Sequence, residues 1–404
     1  MTATPTPAAD TFRRIGPRPL GLHLATAALS WTGAVLPGGA WLAHQRKSDP
    51  VAETMALVRA AERRFARLLA GIDAYQKHPY RRSMAEPPAV WRGNGVRLLD
   101  FGGAAGPDGA DGMPLLVIPS LINRYHILDL HPDHSFIRYL QSQGFRPFVV
   151  AWDDFGRAAR HTTVDDCVAG KLEAALGIVR LHTRRRPVLI GYCLGGTLAA
   201  ALAARRPGDI AGLVTLAAPW DFHADGGGIG PAATFAAEAL KPVLDAAGAL
   251  PVDLVQTLFY TLDPFQVIDK FLRFAAAAPD AAAAADFVAV EDWLNDGFPL
   301  PAPITRTLLS DWYGANAPAN GQWKIEGRLV DLTQVGAPAL VVTPARDRIV
   351  PPASARAMAD SLPAPEVLEV PRGHVGMIAS RRARDQVWSP MVEWLHRAAE
   401  TSVG

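Results

Sequence analysis

Val188–Ala204 reads VLIGYCLGGTLAAALAA: a strand-forming run, a cysteine between glycines, then small helix formers. Glycine stands two residues before Cys193 and two after it, in Gly191-Tyr192-Cys193-Leu194-Gly195. A nucleophile carried on a sharp strand-to-helix turn needs small flanking residues, because the strand and helix approach closely there. The helix that begins at the thiol points its free amides at the sulfur, which favours negative charge on it. The Leu194 N–H then supplies half of an oxyanion hole. The other half is expected from Ser120–Ile122, centred on Leu121, after the apolar run PLLVIPS.

Outward from this turn, short apolar runs alternate with helix-like stretches. They are VRLLDFG from Val96, PLLVIPSL from Pro114, RPFVVAW from Arg146, PVLIGY from Pro187 and AGLVTLAAP from Ala211, followed by PALVVTPARD from Pro338 and PEVLEVPRGH from Pro365. Such alternation predicts an α/β fold, with a mostly parallel sheet covered by helices on both faces. Residues 1–92 read as a helical N-terminal region, with helical spacing strongest over Ala52–Tyr75. Residues 93–404 read as the catalytic domain. Between Pro219 and Pro338 the alternation lapses into aromatic, helix-like segments, so residues 220–337 are expected to form a cap insertion. The alanine-rich tract Ala275–Ala285 within it reads as a solvated turn.

A cysteine nucleophile needs a base and a group to orient it. In this strand-and-helix arrangement they follow in the order nucleophile, acid, histidine. Asp347 ends PALVVTPARD and His374 follows PEVLEVPRG, so both are expected at the carboxyl edge of the sheet beside Cys193. Of the eleven histidines, His374 combines that order with that edge. Asp165, Asp166 and Asp221 are rival acids, but only Asp347 ends a late strand. His131 and His134 have H-x-x-H spacing, yet Pro132, Asp133 and Ser135 make them read as a helix start. No third ligand accompanies them, so no metal is expected. Cys167 reads as a packed helix residue.

Bulk properties narrow the classes further. With 404 residues, 49% of them hydrophobic, the chain has ample core, and a formal net charge of +1 leaves no footprint for nucleic acid. Two cysteines in this length fit a reduced, cytoplasmic compartment rather than a disulfide framework. Leu20–Ala43 is apolar, but Pro37, Gly38 and Gly39 interrupt it. No membrane span is expected from it.

VIPSLINRYHILDLHPDHSFIRYLQSQGF (Val117–Phe145), together with GYCLGGTLAA, RDRIVPPASA and GHVGMI, resembles the polyhydroxyalkanoate synthases, enzymes of the α/β-hydrolase fold. The resemblance runs from about Leu98 to the C-terminus, and its later part is closer to the shorter two-component synthases. It implies an acyltransferase that polymerises (R)-3-hydroxyacyl-coenzyme A through a Cys193 thioester and releases coenzyme A. No cofactor is implied beyond the acyl-coenzyme A substrate. The implied partners are the polyester product, at a cytoplasmic granule surface, and either a second copy of the chain or a partner synthase subunit. The cap segment VEDWLNDGFPLPAPITRTLLSDWYG is only loosely similar, and Ser120 and His126 depart from the family pattern. Two other readings compete: a cysteine-dependent hydrolase of esters, thioesters or stored polyester, and a catalytically silent protein of the granule surface.

Overall fold

The computed structural model describes residues 14–33, 35–102, 112–224, 226, 228–276 and 281–401. Eight strands form one sheet: β1 (Ala89–Gly93), β2 (Val96–Asp100), β3 (Pro114–Ile118), β4 (Arg146–Trp152), β5 (Val188–Tyr192), β6 (Gly212–Leu216), β7 (Ala339–Pro344) and β8 (Pro365–Val370). Their spatial order is 1-2-4-3-5-6-7-8. β1 and β2 are antiparallel to their neighbours, and every other pairing is parallel. Every residue of β3, β5, β6 and β7 is buried. Helices cover both faces of a parallel sheet, which is why these strands read as continuous apolar runs rather than alternating ones.

The register delivers the loops that matter to one place. Ile118 at the end of β3 pairs with Gly191 of β5, and Tyr192 pairs with Leu216 of β6. The segments beginning at Pro119, Cys193, Ala345 and Pro371 therefore all leave the carboxyl edge of the sheet.

The loop after β3 is clamped from beneath by a buried carboxylate. Asp129 is fully buried and accepts hydrogen bonds from Ser135 Oγ at 2.6 Å and Arg138 Nε at 2.9 Å. Arg82 Nη2 adds a third contact at 3.0 Å. These are the Asp, Ser and Arg of ILDL and SFIR. A carboxylate held in the interior survives only with its lone pairs satisfied by charged donors, so the spacing of those two motifs has a mechanical origin.

The chain divides into two compact units, one joining residues 1–81 to 263–295 and the other joining 82–262 to 296–404. In the first, the helices Leu20–Thr32, Pro50–Lys77, Gln266–Ala276 and Ala281–Asn295 meet around Ala27, Leu68, Ile72, Tyr75, Ile268, Phe271 and Val288. Asp49 caps the long helix by accepting from Val51 N at 2.9 Å, with Pro50 at its first position. Gly71 lets that helix approach Gln266–Ala276 closely, since a Cβ there would lie 2.3 Å from the Phe271 carbonyl oxygen. Thus part of the insertion, Asp263–Asn295, clusters with the N-terminal helices, while the rest clusters with the sheet.

Two local expectations change, and a third lies partly outside the described residues. The apolar N-terminal stretch is two helices, Leu20–Thr32 and Val35–Arg46, and Pro37 lies in the first turn of the second, where its missing N–H costs nothing. By length and composition alone, Leu20–Arg46 is the one stretch among the described residues that could cross a membrane. The alanine-rich tract is helical at both ends, since one helix ends at Ala276 and the next begins at Ala281, alanine being the strongest helix former; the turn expected within it falls at 277–280, outside the described residues. His131 and His134 lie on a short antiparallel pair, and the helix starts later, at Phe136, capped by Ser135.

Candidate active site

Cys193 sits between β5 and the helix Leu194–Arg205 with φ 55° and ψ −131°. That left-handed conformation is costly for a residue with a side chain, and such strain marks functional turns. Three glycines make the turn possible. A Cβ on Gly191 would fall 2.4 Å from the Gly196 Cα, and one on Gly195 would fall 2.1 Å from the Ile118 oxygen. One on Gly196 would meet the Ala218 Cβ at 2.4 Å. The helix start is thus pressed against the end of β3. The Cys193 N–H donates to the Leu216 carbonyl at 2.9 Å, fixing the thiol-bearing residue to β6.

His374 Nδ1 lies 2.7 Å from Asp347 Oδ2, and both side chains are buried. A carboxylate only accepts, so Nδ1–H donates, and Nε2 is left to hydrogen-bond the Cys193 sulfur. The other Asp347 oxygen accepts from the Ile349 and Val350 amides at 2.8 and 2.9 Å, which locks the carboxylate in place. Burial works against charge on His374, but the Cys193 sulfur and the Asp347 carboxylate outweigh it and raise its pKa to about 10. The imidazole therefore carries a proton at neutral pH.

Cys193, Asp347 and His374 are thus brought into one hydrogen-bonded line. The rival acids are occupied elsewhere. Asp165 accepts from the Glu326 amide, Asp166 from Thr163, and Asp221 from the His223 amide and Asn316 Nδ2. Cys167 is completely buried, and burial pushes its pKa up to about 12, so it stays a neutral thiol.

Leu194 is the first residue of its helix, where backbone N–H groups have no intrahelical acceptor. Leu121 is buried in the loop after β3. That loop is held by Trp152 Nε1, which donates to the Pro119 carbonyl at 3.1 Å. The two backbone positions expected to form the oxyanion hole therefore belong to neighbouring loops at the same sheet edge. His134, by contrast, has Nε2 3.1 Å from the Ile378 carbonyl oxygen, a structural contact.

Two tyrosines went unnoticed in the sequence. Tyr192 donates its hydroxyl to the His374 carbonyl at 3.2 Å. Burial, then the charges of Cys193 and Asp347, keep it protonated. Tyr313, half-buried in the insertion, is pushed up by desolvation and by Cys193. Tyr192 stands inside the elbow motif and Tyr313 inside the cap segment, but neither was singled out for a role. Only the sheet register could have signalled Tyr192, and nothing in the sequence signals Tyr313.

A family model for the α/β hydrolase fold matches residues 114–379, which span every strand from β3 to β8 and all three residues of the line. A poly(3-hydroxyalkanoate) polymerase subunit PhaC of a Synechocystis strain is 30% identical over 296 residues, covering 70% of this chain and 77% of that one. The chain belongs to this polymerase family. The corresponding subunit of Haloferax mediterranei is 29% identical over 316 residues, covering 77% of this chain. The chain spans 64% of that relative's length. Among solved structures, a monoacylglycerol lipase of Paleococcus ferrophilus aligns with a TM-score of 0.48 at 17% identity, covering 75% of this chain and 99% of its own.

Proposed function

We propose that the chain is an acyltransferase that builds polyester from (R)-3-hydroxyacyl-coenzyme A, with Cys193 as the acyl carrier. The observation that supports this most is the hydrogen-bonded line Asp347–His374–Cys193 at a strained turn, in a member of a polymerase family.

The sulfur attacks the thioester carbonyl, and the oxyanion is met by the Leu194 and Leu121 amides. As the tetrahedral intermediate collapses, the coenzyme A sulfur leaves with the proton of His374, and Cys193 becomes a thioester. Exchange of one thioester for another is nearly free of cost, so the acyl group stays activated; a serine would discard that activation as an oxygen ester. Acylation also removes the interaction with the sulfur, the leading influence that raises His374. The neutral imidazole then takes the proton of a 3-hydroxyl group, whose oxygen attacks the Cys193 thioester. An ester forms, the C–S bond breaks, and the departing sulfur returns to its hydrogen bond with the imidazole, which now carries the hydroxyl proton. Asp347 holds the imidazole in the tautomer that both steps need.

The product is an insoluble chain, which keeps the enzyme at a granule surface in the cytoplasm. The relatives' names as subunits favour assembly with a second chain.

Supplying purified protein with (R)-3-hydroxyacyl-coenzyme A while following thiol release and polymer together tests the proposal. Released coenzyme A with accumulating polyester is the expected result. Release accompanied only by free 3-hydroxy acid would instead make it a hydrolase.

A further inference from the structure

Next to the elbow lies a cavity of about 290 Å³. Leu194 and Ile122 line it on the sheet side. Leu194 directly follows the thiol, and Ile122 lies in the loop expected to complete the oxyanion hole. The opposite wall belongs to the insertion: Ala233 and Ala236 from the helix Ile229–Ala247, Leu258 from Val252–Tyr260, and Leu308 from Thr307–Gly314. Tyr313 also borders it. The lining contains no Asp, Glu, Lys, Arg or His.

A pocket without charge has no counter-ion for the phosphates of a coenzyme A, and its few hydroxyls, Thr261, Thr305 and Tyr313, stand among aliphatic side chains. It suits a hydrocarbon. We infer that this cavity receives the alkyl tail of the 3-hydroxyacyl group carried on Cys193, and that it makes the chain selective for medium-length tails over the methyl of 3-hydroxybutyrate. The inference rests on Cys193 being the acyl acceptor.

Size supports it. An apolar cavity of about 150 Å³ accepts benzene, six carbons. About twice that volume holds the pentyl tail of a 3-hydroxyoctanoyl group with room to spare, whereas a methyl group leaves it largely empty. Each methylene moved from water into such a site is worth roughly a fourfold gain. Four methylenes separate the two substrates. Ordering a flexible tail offsets part of the gain, and a preference of at least about tenfold remains. The side chains at Ala233 and Ala236 set the depth, since both are minimal and both face the cavity from one helix.

Single-turnover acylation of Cys193, read by intact mass and by coenzyme A release, tests this with 3-hydroxybutyryl- and 3-hydroxyoctanoyl-coenzyme A. The expected ratio of rate constants per unit concentration favours the octanoyl substrate at least about tenfold. Ala233→Leu and Ala236→Phe should each bring that ratio down to about one or below. Ala236 is only half-buried, so its variant keeps the test sound if the Ala233 variant fails to fold. A wild-type ratio at or below one, or a ratio unchanged in folded Ala236→Phe, overturns the inference while leaving Cys193 as the acceptor. Labelling by neither thioester overturns the acceptor reading and this inference together.

Discussion

His374 carries the electrostatics of the candidate site. It is 7% exposed and would lose charge if burial acted alone, yet the neighbouring sulfur and carboxylate lift its pKa to about 10. Because the sulfur is the leading upward influence, Cys193→Ala should leave His374 titrating well below about 10, as followed by NMR of labelled histidine. An unchanged titration would mean that Asp347 alone sets it. Stability obeys the same linkage. The folded pKa lies above the ordinary 6.5, so the contribution is complete below that pH and is lost as pH rises through about 10. The stability gap between wild type and His374→Gln, measured by denaturant unfolding, should therefore shrink from pH 7 to pH 10.5. The three residues in line were legible in the sequence because each follows a recognisable strand, and chain order fixes their sequence. The Tyr192 contact with the His374 carbonyl and the approach of Tyr313 were not, since both depend on packing rather than on any local pattern.

At the scale of elements, the loop after β3 shows how a motif can be read without its reason being visible. The ILDL and SFIR segments suggested a family, but only the fold reveals Asp129 as the buried anchor between Arg82, Ser135 and Arg138. Asp129→Ala removes the acceptor and leaves donors facing one another in the interior. Removing one side of a buried ion pair costs several kcal/mol. With the Arg138 side chain 39% exposed, roughly 2–4 kcal/mol is expected here. Denaturant midpoints at constant m-value would measure it. A change within about 0.5 kcal/mol, the range of an ordinary surface substitution, would show that the loop is held by its apolar contacts instead. Helix boundaries were less legible than strands. Pro37 was read as an interruption, but a proline is harmless in a first helical turn.

For the whole molecule, the mostly parallel sheet could be anticipated because buried parallel strands are continuous apolar runs separated by helix-length gaps. The division of the insertion could not. Asp263–Asn295 clusters with the N-terminal helices through Ile268, Phe271 and Val288, a long-range pairing with no local signature. Cys193, Asp347, His374 and the apolar cavity all lie in the unit formed by residues 82–262 and 296–404. The chemistry proposed for that unit stands or falls on one covalent bond. Mixing the protein with slightly less than one equivalent of an (R)-3-hydroxyacyl-coenzyme A, quenching in acid and mapping the peptides measures it directly. The account predicts one acyl group on Cys193, coenzyme A released in equal amount, and no adduct in Cys193→Ala, with Cys167→Ala labelled as wild type. An acyl group on any other residue, or coenzyme A release undiminished in Cys193→Ala, would contradict it.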